Sequence, residues 1–184
     1  MSTALDTKAL IGTYNIDQSH SSVEFVARHL VISKVRGRFS SFSGQIVIAE
    51  NPLDSHATAR IDTNSIDTNE EKRDEHLRSA DFFNTSQYPT ITYQSTSVKE
   101  AGNGQYILVG DLTIAGKTNQ VDLELEVTGT AQDPWGNSRV GFSASTAINR
   151  SEFGLTWNQA LETGGVVVSD KIDLNIEIEA VKAQ

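Results

Sequence analysis

The chain reads as an all-β fold, an antiparallel barrel or sandwich with one short inserted helix, on three observations. Apolar residues recur at every second position through most of its length, which is strand periodicity. Turn-forming residues interrupt these runs at short intervals, most clearly at Gly102-Asn103-Gly104, where Asn-Gly suits the positive φ angles of a type I′ hairpin. One stretch alone, Asp67 to Tyr93, carries the three- and four-residue spacing of a helix.

Taken in order, residues 1–11 read as a flexible arm and residues 12–184 as a single domain. Tyr14 and Ile16 begin the alternation, Asp17-Gln18-Ser19 turns the chain, and Val23, Phe25, Ala27 and His29 share one side of the next strand. Ser33-Lys34 reads as a turn, Gly44 as a bend, and Asn51-Pro52-Leu53-Asp54 as another turn. Ala57, Ala59 and Ile61 line a further strand face. Beyond Pro89 the strands resume with Ile91 and Tyr93, then Tyr106, Leu108, Leu112 and Ile114, a turn at Ala115-Gly116, and Val121, Leu123, Leu125 and Val127. Asp133-Pro134-Trp135-Gly136 has type I turn chemistry, and Val140, Phe142, Ala144 and Ile148 follow it. The irregular SEFGLTWNQALETGG predicts a second short helix near residues 158–162, before a last strand burying Ile172, Leu174, Ile176 and Ile178.

The helix is predicted from Thr68 and Glu71, a capping-box pair, with Asp74 and Arg78 as an exposed i, i+4 pair. Its other stripe, Arg73, His76, Leu77 and Ala80, leads into Asp81-Phe82-Phe83. A polar helix ending in two phenylalanines predicts a lid over something apolar, with Arg73, His76, Leu77, Phe82 and Phe83 facing inward.

Composition narrows the function classes. The 184 residues suit one domain with a sizeable core, and 38% hydrophobic with 21% charged residues is ordinary for a globular protein. A formal net charge of -9 argues against a nucleic-acid binder and predicts repulsion from an anionic leaflet. No run is long and apolar enough for a membrane helix, so stable insertion is not expected. The N-terminal run has no signal-like apolar core and carries Asp6 and Lys8, so a cytoplasmic location is expected. There is no cysteine, which excludes disulfide and thiolate chemistry.

No motif with catalytic spacing survives inspection. Gly116-Lys117-Thr118 looks like a P-loop ending, but a strand follows it and Gly110 stands one residue too far upstream. His20, His29, His56 and His76 form no metal-ligand pair by spacing, although a barrel would be able to gather His20, His29 and His76. Asp17, Ser19 and His20 supply hydrolase side chains, but on a strand they would point to opposite faces. The residues that face inward with polar groups are His29, Arg73, His76 and Arg150; an arginine there serves either a head group or a structural ion pair. Phe25, Phe39, Phe42, Phe82, Phe83, Tyr93, Phe142, Phe153 and Trp157 are candidates to line an apolar channel, and each also suits plain core. Small inward residues such as Ala27, Ala57, Ala59 and Gly110 suit a ligand cavity or the taper of a packed barrel.

A resemblance decides between these. The run Arg73-Asp74-x-His76-Leu77-x-Ser79-x-Asp81-Phe82-Phe83, with Tyr88-Pro89 and Tyr93, resembles the signature of the YceI-like family. So do His20-Ser21-x-Val23-x-Phe25, Gly110-Asp111-Leu112-Thr113-Ile114 and Asn149-Arg150-x-x-Phe153-Gly154. The resemblance implies a lipocalin-like barrel around an apolar cavity that holds a long isoprenoid or similar amphipathic lipid, such as a polyprenyl pyrophosphate or an isoprenoid quinone. It implies carriage rather than catalysis, no metal, no cofactor beyond the bound lipid, and pairing as a homodimer. The rival readings are an enzyme acting on such a lipid through histidines at the mouth, or a solid barrel serving as an interaction module.

Overall fold

The alternating runs pair into one antiparallel sheet that closes on itself. The computed structural model describes residues 7–184. β1 (Gly12–Ile16), β2 (Ser22–His29), β3 (Ser33–Phe39), β4 (Phe42–Ile48), β5 (His56–Asp62) and β6 (Ile66–Asp67) precede the helix α1 (Glu71–Arg78). Longer strands follow: β7 (Thr90–Gly102), β8 (Gln105–Ile114), β9 (Lys117–Gln132), β10 (Ser138–Asn149) and β11 (Lys171–Lys182).

β11 closes the barrel by carrying two short strands end to end. β1 pairs with its C-terminal half, Ile16 opposite Ala180, and β2 with its N-terminal half, Phe25 opposite Leu174. The same break runs through the next two positions, where β3 pairs with β2 and β6, and β4 with β1 and β5. Counting each broken pair once, eleven strands make a barrel of eight. α1 packs on β6, on the side where the sheet has lost its regular partner.

The hairpin turns follow φ chemistry. Asn103-Gly104 takes φ of 53° and 73°, and Ala115-Gly116 takes 49° and 75°, both as type I′ pairings require. The turn expected at Ser33-Lys34 lies earlier, at Leu30-Val31 with φ of 53° and 62°, because Ser33 already pairs with His29. The helix expected near residues 158–162 is absent; Ala160 instead bridges Val166, while a 3-10 turn forms at Arg150–Phe153. Residues 1–6 of the expected arm lie outside the described residues, but Thr7–Leu10 form a 3-10 turn that buries Leu10.

Two apolar clusters line the interior. The larger contains Phe39, Ile66, Leu112, Leu123 and Phe153 and faces α1. The smaller, Leu10, Tyr14, Val140, Phe142 and Ala180, packs along the β1, β10 and β11 side of the other end.

Candidate functional site: an apolar cavity with one sealed and one open end

Between the two clusters the barrel is not solid. It encloses a cavity of about 760 Å³, walled almost wholly by apolar side chains from every long strand. That volume sits in the range of about 300–1,000 Å³ expected of a small-molecule site. The solid-barrel alternative is set aside by it.

Small wall residues make the room. At Gly110, a Cβ would stand 2.5 Å from Tyr93 Cζ and 2.7 Å from the Gln94 carbonyl, so only glycine lets the Tyr93 ring lie across the wall. The Tyr93 hydroxyl donates to the Leu108 carbonyl at 3.2 Å. Burial, with Asp122 and Asp111 nearby, pushes its pKa up, so it stays a neutral donor. Gly37 does the same for Phe25, whose ring an added Cβ would overlap. Ala57, Ala59 and Ala144 hold the wall back elsewhere.

One end is sealed by the helix and the segments beside it. Leu77, Phe82 and Phe83 line the cavity from α1 and its tail, and Phe83 meets Phe39 edge-on at 6.0 Å between centroids. Phe82 also contacts Trp157 and His76 on its outer side, at 5.3 and 5.1 Å. Leu155 and Val168 complete the seal from the long β10–β11 connection.

Arg150 organises that connection. It is buried, and its guanidinium donates to the carbonyls of Leu155 (2.7 Å), Trp157 (2.8 Å), Ser169 (2.9 Å) and, more weakly, Val168 (3.4 Å). Burial pushes its pKa down, with Asp170 opposing the shift. Among the described residues it has no side-chain ion pair; it clamps backbone while bordering the cavity.

The other end is open. Exposed polar residues of the wall gather there, His56 after the β4–β5 turn, Asn103 and Gly104 at the β7–β8 hairpin, and Glu126 opposite Gln105; Glu24 and Thr58 lie farther along β2 and β5.

Of the residues singled out in the sequence, Phe25, Phe39, Phe42, Leu77, Phe82, Phe83, Tyr93, Phe142 and Arg150 line the cavity. Five do not. Arg73 turns back to Thr68, donating from Nε to its hydroxyl and from Nη2 to its carbonyl, each at 2.7 Å. His76 faces outward, paired with Asp81 at 2.9 Å and stacked edge-on against Trp157 at 4.7 Å. His29 bridges Val168 through its backbone, and Phe153 is buried in the core cluster. The reason is the capping. Glu70, not Thr68, caps α1, accepting from Arg73 N at 2.7 Å. Thr68 instead donates from N and Oγ1 to Asp74, which is buried rather than exposed, and Arg78 reaches the Asn64 and Ile66 carbonyls. These contacts rotate the helix so that Leu77 alone of its stripe points in. His56, Asn103 and Glu126 were not read as mouth residues from the sequence, because strand pairing and the hairpin bring them to one end.

A 3-10 turn also overturns one expectation. Gln18–His20 brings Asp17, Ser19 and His20 together, His20 Nδ1 lying 2.9 Å from Asp17 Oδ2 and 3.0 Å from Ser19 Oγ. One ring nitrogen faces both partners, so the imidazole does not relay between acid and hydroxyl as a triad requires. Asp17, His20 and Glu179 also have metal-ligand atom types close together. Their positive charge comes from Arg139, whose Nη1 lies 2.8 Å from Asp17 and 2.7 Å from Glu179 while Nε reaches Asp133 at 2.9 Å. The Ser19, Arg139 and His20 hydrogen bonds hold the Asp17 carboxyl well below its ordinary range.

The sequence profile of the YceI-like domain matches residues 14–180. A UPF0312 protein of Vibrio cholerae is 37% identical over 165 residues, covering 89% of this chain and 83% of its own. Among solved structures, Burkholderia cenocepacia BcnA superposes with a TM-score of 0.78 at 24% identity, covering 89% of this chain and 98% of that one. A polyisoprenoid binding domain from Saccharophagus degradans, implicated in plant cell wall breakdown, gives 0.70 at 19% identity, covering 92% and 98%.

Proposed function

The chain belongs to the family of YceI-like domains, and from that premise we propose that it is a non-catalytic carrier or store for a long isoprenoid lipid. The observation that carries this reading is the apolar cavity of about 760 Å³ in a closed barrel. Each methylene equivalent moved from water into such a wall contributes about 0.8 kcal/mol, so a branched hydrocarbon chain binds by desolvation alone. The structural neighbour from Saccharophagus degradans, a polyisoprenoid binding domain, supports the same class of ligand.

Charge favours a neutral head group, a quinone or an alcohol, over a pyrophosphate. The mouth presents Glu126, His56 and Asn103, and the one arginine or lysine of the described wall, Arg150, spends its strongest donors on backbone carbonyls at the sealed end. The carrier reading is supported further by the positions of the histidines. His20, His29 and His76 stand outside the wall, and His56 alone borders the cavity.

Solvent extraction of the purified protein followed by mass spectrometry is the test. An isoprenoid with a neutral head is the expected result, with added isoprenoid quinone taken up more tightly than polyprenyl pyrophosphate. An empty extract together with no uptake of either lipid would refute the carrier. Turnover of the bound lipid that vanishes on His56→Ala would replace it with an enzyme.

A further inference from the structure

The β2–β3 hairpin carries an exposed apolar tip that neither the barrel nor its cavity uses. Val31 is 75% and Ile32 85% exposed, and Val166 beside them on the neighbouring connection is 42% exposed. Leu30 N donates to the Val167 carbonyl at 2.9 Å, which fixes the two segments together. The tip is a type I′ turn in which Leu30 and Val31 both have positive φ, closed by Ile32 N donating to His29 O at 3.1 Å. A β-branched residue is a costly choice there, and Asn-Gly would form the turn more easily.

The strands behind the tip are basic in a chain of net charge -9. Arg28 stands directly across from Lys34, and Arg36 across from Val26, the three cations all exposed. Among the described residues these three cations have no side-chain ion pair. The charged groups near them are accounted for otherwise. Arg38 pairs with Asp67 at 3.2 Å, and Lys171 with Asp173 at 3.5 Å; Glu24, opposite Arg38, lies two pairs farther from the tip than Arg36.

We propose that this hairpin docks the protein on a bilayer surface containing anionic lipid, Val31 and Ile32 entering the interface while Arg28, Lys34 and Arg36 meet the head groups. Charge complementarity selects this occupant. A second copy joined through the same patch by twofold symmetry would face three cations with three cations. A membrane interface accepts both features, an apolar tip and cations behind it, Arg28 and Lys34 one pair behind the closing pair and Arg36 two pairs farther. The net negative charge predicts repulsion from such a surface, but within a Debye length of about 8 Å the local charge decides. Docking turns the end sealed by Phe82 and Phe83 toward the bilayer and leaves the Glu126 mouth away from it.

The test is co-sedimentation with vesicles of phosphatidylcholine alone and of phosphatidylcholine with one-third phosphatidylglycerol. Binding is expected to the mixed vesicles only, and to weaken with salt. Arg28→Glu, Lys34→Glu and Arg36→Glu together should weaken it by at least roughly a hundredfold, at about fivefold for each cation lost. Val31→Gly with Ile32→Ser suits the turn's φ angles, so the hairpin stays folded while binding is lost. No binding of the unaltered chain to mixed vesicles overturns the proposal, as does binding that survives Val31→Gly with Ile32→Ser. So does a tip variant that converts a dimer to a monomer in sedimentation without changing vesicle binding. The solvent extract of each variant is measured in parallel and should be unchanged; an empty extract bears on the cavity and not on the tip.

Discussion

Replacing Arg150 by methionine tests whether the sealed end depends on a single buried cation. Methionine keeps much of the apolar stem and removes every donor. Three short hydrogen bonds disappear, to Leu155, Trp157 and Ser169 at 2.7, 2.8 and 2.9 Å, and the 3.4 Å contact to Val168 is too long to count for much. A buried carbonyl left without a partner costs about 1–3 kcal/mol. Leu155 is buried and should incur that cost, whereas Trp157 and Ser169 sit in half-exposed chain and regain part of theirs from water. Relief of the ion's own desolvation offsets only part of the three lost bonds, because Arg150 borders the cavity. The balance is a loss of about 2–4 kcal/mol, read as a lowered urea midpoint with an unchanged slope. Arg150→Lys should lose nearly as much, because one ammonium does not span carbonyls on both strands of the connection. A loss under about 1 kcal/mol for Arg150→Met, or full rescue by lysine, would refute the clamp argument.

Three further outcomes are expected. Phe83→Ala enlarges a space that already exists, so it should cost less than the about 3–5 kcal/mol of a fully enclosed phenylalanine while lipid retention falls sharply; urea unfolding and lipid extraction together check this. Gly110→Ala drives a Cβ into the Tyr93 ring and the rigid Gln94 carbonyl, and a thermal scan should show destabilisation of about 1–3 kcal/mol with reduced lipid uptake. The Arg139 network should make stability acid-sensitive. The Asn137 and Arg139 hydrogen bonds depress Asp133 from 3.8 to about 2, and Asp17 is depressed further, so their contribution is complete above pH 3.8 and lost as pH falls toward 2. Arg139→Ala should flatten that part of the pH–stability curve, and an unchanged slope would remove Arg139 from the account.

Which parts of the molecule were legible in the sequence follows from the range of the forces involved. Side-chain alternation is local, so the inward faces of β5, β9 and β11 could be read from Ala57, Leu123 and Ile176 without knowing what they face. Turn chemistry is local too, and Asn103-Gly104 lies where its φ preference puts it. Phe82 and Phe83 were visible as a lid because two aromatic rings after a polar helix have nowhere else to go. The orientation of α1 was not legible. An eight-residue helix has about two turns, and the bonds of Asp74 to Thr68, Arg73 to Thr68 and Arg78 to Ile66 outweigh its own weak periodicity, which turned Arg73 and His76 away from the cavity. Leu30-Val31 adopts a hairpin turn its residues disfavour because the pairing of β2 with β3 demands one there. The role of Arg150, the meeting of Asp17 with Arg139 across 122 residues, and the choice of which end opens all depend on contacts between segments far apart in sequence. Periodicity and turn preference therefore determined that this chain makes a barrel with an apolar inside. Long-range packing and hydrogen bonding alone decided where that barrel is sealed, because no residue carries in its neighbours the information of what will lie against it.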